Sequence, residues 1–241
     1  MTDALFLCAD VGVPIGGVLH LDGPEGRHAA VVRRIRVGES VLVADGAGSA
    51  IRGVAQVVGP DFIDVSVHER LREPAPSHRW GVVQALAKGG RDEAAIEAMT
   101  ELGVDEVIAW QADRSVVSWE SKKDKGLAKW TATVREAAKQ SRRFSLPAVG
   151  FATTAQVCDR IRQAAQAFVL HESAKPYLDG QTLAPFGDVL FIVGPEGGIT
   201  PDELAGFQTA GASPVLVADH VLRTSTAGVV ALAQLQAMAR A

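Results

Sequence analysis

The chain has 241 residues, 47% of them hydrophobic and 22% charged, and a formal net charge of −4. That length holds one large domain or two small ones with an ample core, and the balance excludes a disordered or fibrous protein. Taken alone, the acidic total argues against nucleic-acid binding, so any basic surface must be local.

The two cysteines, Cys8 and Cys158, are far apart and form no CxxC pair, which argues against a disulfide framework or a structural zinc site. Both read as small buried thiols of a reducing compartment. The opening MTDALFLCADVG lacks a basic region followed by a sustained apolar core and does not read as a signal peptide. No apolar run reaches the ~18–20 residues needed to span a bilayer. The expectation is a soluble, cytoplasmic protein.

Residues 1–72 read as a small β-rich domain. SVLVADGAGSAIRGVAQVVGPDFIDVSVHE contains short alternating apolar runs, separated by the turn signals Asp45-Gly46-Ala47-Gly48 and Gly59-Pro60-Asp61. Before them, EGRHAAVVRRIRVGE predicts a short helix carrying Arg33, Arg34 and Arg36. The pattern points to a β-barrel-like fold.

LREPAPSHR reads as a linker, and residues 73–241 then alternate strands and helices. Val82–Ala87 is a predicted strand. RDEAAIEAMTEL is a helix with Ala95, Met99 and Leu102 on one face and Gly103 as its stop, and Asp105–Trp110 is a strand. Leu127–Arg143 predicts a long helix ending before Pro147. Thr154–Ala167 predicts another, with Val157, Ile161, Ala164 and Phe168 at helical intervals. Phe168–Glu172 and Val189–Gly194 are buried-strand candidates. A helix follows Thr200, with a proline at its first position, Glu203 completing a capping box and Gly211 ending it. Val215–Asp219 is one more strand, and TSTAGVVALAQLQAMAR the terminal helix. This alternation implies an α/β domain with a mainly parallel sheet.

Charge is concentrated in one stretch. Lys122, Lys123, Lys125, Lys129, Arg135, Lys139, Arg142 and Arg143 are opposed only by Asp124 and Glu136, a local balance of +6. The pattern fits a solvated helix face as well as a phosphate-binding surface. In the second reading Lys139, Arg142 and Arg143 contact RNA phosphates, and Arg33, Arg34 and Arg36 extend that surface. The six histidines show no metal-ligating spacing, and no metal is expected.

The main chemical signal is FIVGPEGGITPDEL, a strand running into a glycine-rich loop and a capped helix. Ligands in open α/β sheets bind beyond the carboxyl ends of strands, and glycines let the backbone approach a ligand. The loop lacks the Lys-Ser/Thr of a P-loop and the spacing of GxGxxG. On spacing alone, a tight structural turn fits equally well. A second strand–loop–helix unit, VLVADHVLRTSTAG, brings Arg223 beside the same crevice.

FIVGPEGGITPDEL followed by VLRTSTA resembles the SPOUT superfamily of RNA methyltransferases, and within it the 16S rRNA (uracil-N3)-methyltransferase family. The resemblance covers nearly the whole chain. It includes HAAVVRRIRVGESVLVADGAG, similar to that family's PUA-like RNA-binding barrel, then ALAKGGRDEAAIEAMTELGVDEVIAW, RSVV (Arg114–Val117), REAAKQSRR with Pro147, and LHES (Leu170–Ser173).

What the resemblance implies is specific. The C-terminal part holds a deep trefoil knot, an exception to the rule that chains do not thread loops. S-adenosylmethionine lies on the backbone of three segments: Leu170, His171 and Glu172; Gly194, Pro195, Glu196, Gly197 and Gly198; and Val217, Ala218, Asp219, His220, Val221 and Leu222. Lys88 and Arg91, in the KGGRDEAA block, join the candidate RNA contacts. The molecule is a homodimer that methylates a uridine in 16S rRNA of the small ribosomal subunit. The sequence departs from the family at Val217-Ala218, where Leu-Gly is usual, at His220, where arginine or asparagine is common, and at Thr224-Ser225-Thr226, where Thr-Glu-Thr is usual. No general base is therefore assigned at Ser225. Arg223 is the candidate catalytic residue, stabilising negative charge on the uracil carbonyl oxygens or positioning a phosphate; anchoring the knot is its alternative role. Other readings are a related enzyme acting on another base or a ribose 2′-hydroxyl, a non-catalytic rRNA-binding assembly factor, and a Rossmann-type nucleotide-binding enzyme.

Overall fold

A computed structural model describes residues 3–240; Met1, Thr2 and Ala241, at the outer ends of the two expected domains, lie outside the described residues. The chain forms two compact units. One comprises Met1–Ala75 together with Ala138–Leu146, the other Pro76–Ala137 with Pro147–Ala241.

The first unit is a five-stranded sheet in the order β1-β3-β4-β5-β2. Its strands are β1 (Ala4–Leu7), β2 (Val18–Leu21), β3 (Ser40–Ala44), β4 (Ser49–Val58) and β5 (Ile63–Arg72). All neighbours are antiparallel except β1 and β3. Alternation in β4 and β5 turns Ile51, Ala55, Ile63, Val65 and Val67 into one core with Phe6, Leu19, Leu21, Val41 and Val43. Register shifts between β4 and β5, one leaving His68 of β5 unpaired and one leaving Gln56 of β4 unpaired, bend the ribbon. Gly53 is obligatory there, since a Cβ would sit 2.3 Å from the Ser66 carbonyl oxygen.

The short helix expected across residues 25–39 is different. A five-residue helix α1 (Gly23–Arg27) leads into a π turn over His28–Val32. Arg33, Arg34 and Arg36 follow it and are exposed. Arg34 adopts φ 55°, which breaks the helix and turns Ile35 inward, its N–H donating to the Ala29 carbonyl at 3.0 Å. Burial of Ile35 thus outweighs the helical propensity of the arginines.

The other face of this sheet, with Leu5, Leu7, Leu42, Ala44 and Ala50, is packed by Phe144 and Leu146. The Phe144 N–H donates to Glu73 Oε1 at 2.6 Å and the Leu146 N–H to the Gly46 carbonyl at 2.9 Å. A division drawn in chain order cannot place this segment.

The second unit is built on six parallel strands in the order β11-β9-β10-β6-β7-β8. They are β6 (His78–Ala85), β7 (Glu106–Trp110), β8 (Ala148–Ala152), β9 (Gln166–Leu170), β10 (Gly187–Val193) and β11 (Ser213–Val215). Helices α2 (Arg91–Leu102), α3 (Lys123–Ser141) and α6 (Thr224–Met238) contribute Ile96, Met99, Trp130, Val134, Leu232 and Leu235 to one core. Helices α4 (Thr154–Gln163) and α5 (Pro201–Ala210) contribute Val157, Ile161 and Phe207 to another. Both faces of the sheet are covered, as a parallel sheet requires.

Several boundaries differ from expectation. Helix α4 stops at Gln163 because Ala164 is extended, and Phe168 faces the core from β9 instead. Helix α3 starts earlier and ends at Ser141, where Arg142 takes φ 58° and the Arg143 N–H reaches back to the Ala138 carbonyl. Strand β8, a half-buried edge following Pro147, carries no alternating pattern and was not expected. The last strand is only three residues long. Leu102 is 37% exposed rather than core, and both cysteines are half-buried. Among the described residues, no helix is long and apolar enough to cross a membrane.

Arg160, on α4, ties two strands together by pairing with Glu106 of β7 and Asp188 of β10, each at 2.8 Å. Arg160→Ala leaves two carboxylates facing each other and is expected to cost about 1–3 kcal/mol, read as a lower urea midpoint with an unchanged slope. An unchanged midpoint would show that the pairs are offset by solvation.

Candidate cofactor cleft and RNA-facing residues

Because all six strands point the same way, the loops after β9, β10 and β11 emerge at one edge. There they enclose a cleft of about 540 Å³, within the size range of small-molecule sites. All fourteen expected cofactor residues line it: Leu170–Glu172, Gly194–Gly198 and Val217–Leu222. Arg223 and Arg91 line it as well. The departures at Ala218 and His220 fall on its wall, and Ala218 has ordinary backbone geometry without positive φ.

The third loop is a cleft wall because the chain leaves the sheet after Val215. The Leu216 carbonyl accepts from the Leu178 N–H, and the Val217 carbonyl from Gln234 Nε2 at 3.0 Å. Tyr177 donates its hydroxyl to Asp219 Oδ1 at 2.7 Å, a bond that raises the phenol's pKa. Among the described residues, the N–H groups of Val217–Leu222 donate to no protein acceptor. Backbone donors facing a cleft call for a ligand rich in acceptors, so these residues fit a nucleoside-bearing cofactor such as S-adenosylmethionine.

Polar side chains beneath the loops fix their positions. Thr224, 7% exposed, donates its hydroxyl to the Gly194 carbonyl at 2.9 Å and accepts from Gln84 Nε2 at 2.9 Å. Gly194 leaves room for Ile199, whose Cγ1 would lie 2.7 Å from an added Cβ. Gly198 needs φ +75°. The capping box of α5 forms as the sequence suggests, with the Glu203 carboxylate accepting from the Thr200 N–H and hydroxyl. Its other oxygen accepts the Asp113 N–H at 2.8 Å, which links α5 to the loop after β7.

Glu196 is turned toward the loop after β6. It pairs with Arg91 at 2.9 Å and accepts the Lys88 N–H at 3.3 Å. Partial burial pushes its carboxyl pKa up, but hydrogen bonds from its own N–H, Arg91 and Lys88 outweigh this and hold it below the ordinary value. A carboxylate so held is a weak base.

The expected RNA contacts divide. Lys88 is exposed and Arg91 is engaged by Glu196. Arg33, Arg34, Arg36 and Arg142 are exposed in the first unit, and Arg143 is half-buried there. Lys139 departs from the expectation of an exposed phosphate contact. It is 8% exposed and pairs with Glu25 at 3.2 Å, because the end of α3 packs into the first unit. Sequence reasoning assigned no role to Arg114, which lines the cleft, nor to Gln84, Tyr177 or Gln234, which position its loops, and it gave Glu203 only its capping box, not its bond to the Asp113 N–H. Arg114, the first residue of the RSVV block, and Glu203, in the capping box, carried a signal. Among the described residues, no cluster of three or more His, Cys, Asp or Glu is arranged to hold a metal.

Comparison with known proteins decides the family. The RNA methyltransferase domain family matches residues 73–236, and the RNA methyltransferase PUA domain family matches residues 21–67. A relative named ribosomal RNA small subunit methyltransferase E from Mycobacterium bovis is 44% identical, over 95% of this chain and 90% of that protein. The chain belongs to the ribosomal RNA small subunit methyltransferase E family. A member from Bacillus subtilis is 30% identical over 88% of this chain and 87% of its own. Among solved structures, the family's enzyme from Neisseria gonorrhoeae, bound to S-adenosyl methionine, matches with a TM-score of 0.88 at 25% identity, covering 98% of both chains. A methyltransferase from Legionella pneumophila with bound cofactor SAM matches with a TM-score of 0.87 at 26% identity, again over 98% of each chain. The PUA match thus falls inside the β-rich unit, and the methyltransferase match spans most of the parallel-sheet unit together with Ala138–Leu146.

Two measurements probe the cleft. Thr224→Val keeps shape but strips the hydroxyl from Gln84 and Gly194. It is expected to cost about 1–3 kcal/mol in denaturant titration; wild-type stability would mean the network does not hold the loop. The depressed pKa of Glu196 means its contribution is fully present above the ordinary glutamate range and lost as pH falls through the depressed value. The urea-midpoint gap between wild type and Glu196→Gln should therefore narrow from pH 7 to pH 3, and a constant gap would refute the pairing.

Proposed function

We propose that this protein transfers the methyl group of S-adenosylmethionine to N3 of a uridine in 16S rRNA of the small ribosomal subunit. The observation that carries this reading is the convergence of all three expected cofactor segments on one cleft, in a chain 44% identical to a ribosomal RNA small subunit methyltransferase E. The cofactor, when bound, supplies an electrophilic methyl carbon on a sulfonium. The chain's own task is to hold the cofactor on the backbone of Leu170–Glu172, Gly194–Gly198 and Val217–Leu222 and to align the acceptor nitrogen. Uridine N3 is a poor nucleophile while protonated, so charge on its carbonyl oxygens must be stabilised as the proton leaves. Arg223, exposed on the cleft wall before α6, is assigned that role.

In this reading the loops after β9, β10 and β11 form the deep trefoil knot of the SPOUT fold, in a methyltransferase domain over residues 73–241. The domain over residues 1–72 holds RNA through Arg33, Arg34 and Arg36, and Arg142, Arg143, Lys88 and Arg91 add to that surface. The protein works in the cytoplasm as a homodimer. Helix α6 supports the pairing: it has no charged residue, and Ala233 and Ala237 are exposed with Val229 and Val230 half-buried. An uncharged helix with exposed alanines beside half-buried valines suits a partner surface.

The test is mass spectrometry of nucleosides from small ribosomal subunits incubated with the protein and isotope-labelled S-adenosylmethionine. Labelled 3-methyluridine is expected. A labelled ribose or another base would replace the acceptor, and no label with cofactor bound would sink the assignment. Arg223→Ala should lower transfer by about a hundredfold while cofactor affinity holds; joint loss of stability and cofactor binding would make Arg223 a structural anchor. Replacing Arg33, Arg34, Arg36 and Arg142 together should flatten the salt dependence of RNA binding by about 0.7–0.9 per lost phosphate contact. An unchanged slope would leave these residues as a solvated surface.

A further inference from the structure

The cleft has two sides, set by strand order. The cofactor segments follow β9, β10 and β11, which lie together at one end of the sheet order, while Arg91 follows β6 and Arg114 follows β7 on the other side. The wall facing the cofactor loops therefore presents two guanidinium groups. Arg91 is neutralised by Glu196 at 2.9 Å. Arg114 is exposed, donates to the Gly197 carbonyl at 3.3 Å, and has no carboxylate partner among the described residues.

Arg114 is also held in place. Its Cβ and carbonyl oxygen would each lie 2.9 Å from a Cβ on Gly197, so the two backbones touch only because Gly197 has no side chain. On one flank the Asp113 N–H is held by Glu203 at 2.8 Å. On the other, Gln111 donates to the Val117 carbonyl and accepts from the Trp119 N–H, both at 3.0 Å. The loop between β7 and α3 is thus braced on both sides of Arg114 while the guanidinium itself stays open to solvent and cleft. A permanently charged, pre-positioned donor without a counter-ion suits an anion that arrives with a ligand.

We propose that Arg114 is a second cationic group of the reaction, meeting an anionic oxygen of the RNA nucleotide presented for methylation. This rests on the methyl-transfer reading above. The oxygen it fits is a carbonyl oxygen of the uracil. N3 loses its proton to solvent water, its electron pair forms the new N–C bond, and the S–C pair withdraws to sulfur. Before the bond forms, the negative charge of the deprotonated ring is shared with both carbonyl oxygens. A guanidinium there lowers the pH at which N3 becomes a nucleophile, without a general base. Of the carboxylates lining the cleft, Glu196 is committed to Arg91 and Asp219 to Tyr177. Glu172 and His171 stand after β9 and His220 after β11, among the cofactor segments rather than on the wall that carries Arg114.

The experiment compares wild type, Arg114→Ala and Arg114→Lys in single-turnover methyl transfer to small ribosomal subunits across pH, with S-adenosylhomocysteine affinity measured by calorimetry. Alanine keeps the Cβ that rests on Gly197 and removes the rest of the side chain, the guanidinium and its bond to the Gly197 carbonyl included. The expected result is cofactor-product affinity within about threefold of wild type, a rate about a hundredfold lower, a rate–pH midpoint displaced to higher pH, and partial recovery with lysine. A higher RNA KM and flatter salt dependence with an unmoved midpoint would also support an anionic RNA oxygen, but would make it a phosphate. Wild-type rates in Arg114→Ala, or a rate loss matched by lost cofactor affinity, overturn the assignment. An inert wild type overturns the functional reading beneath it, and is told apart because no ratio of variant to wild type then exists.

Discussion

All six strands of the larger unit run in one direction, and this single constraint places everything of chemical interest. Parallel pairing forces each strand to be followed by a crossover, so every carboxyl-end loop leaves at the same edge. The cleft needs no dedicated scaffold of its own. It is what remains when three such loops are held open instead of packing on one another. At the opposite edge, Arg160 binds Glu106 and Asp188 and ties strands together.

Holding loops open is costly, because their backbone polar groups lose sheet partners. The structure meets that cost with buried side chains rather than with more secondary structure. Gln84 and Thr224 brace Gly194 from below, Gln234 takes the Val217 carbonyl, and Glu203 satisfies one end of α5 and the neighbouring loop with a single carboxylate. Each of these side chains lies outside the Gly194–Gly198 segment, and each fixes a loop by bonding its backbone, Gln84 through the Thr224 hydroxyl.

Legibility in the sequence followed locality. The helix at Thr200-Pro201 with Glu203, its end at Gly211, and the stop at Gly103 all rest on interactions within a few residues, and all are present. The strands near Val82, Asp105 and Val189 were legible from apolar runs. What failed was decided by distant partners. Arg34 and Arg142 take left-handed conformations that favour glycine because Ile35 and the chain after α3 are captured by tertiary packing. Lys139 reads as one more charge in a basic run, yet Glu25, far away in sequence, buries it. The last strand stops early because Leu216 bonds to the segment near Tyr177 and Val217 to Gln234. The cofactor residues and Arg223 were named through family resemblance; Arg114 lay in a resembling block but received no role, since its meaning depends on strand order.

The segment Ala138–Leu146 has a consequence for how this molecule is put together. The chain crosses from one unit to the other three times, near residues 75, 137 and 146. No single cut releases the PUA unit intact. A fragment ending at the first crossing would lack Phe144 and Leu146 and lay bare Leu5, Leu7, Leu42, Ala44 and Ala50, an adhesive apolar surface. The β-rich unit is therefore completed only after the ribosome has synthesised more than half of the chain. The methyltransferase fold, for its part, is interrupted by the piece it lends out. Neither half is a detachable module, and exchanging the PUA unit between relatives would require moving both of its pieces together.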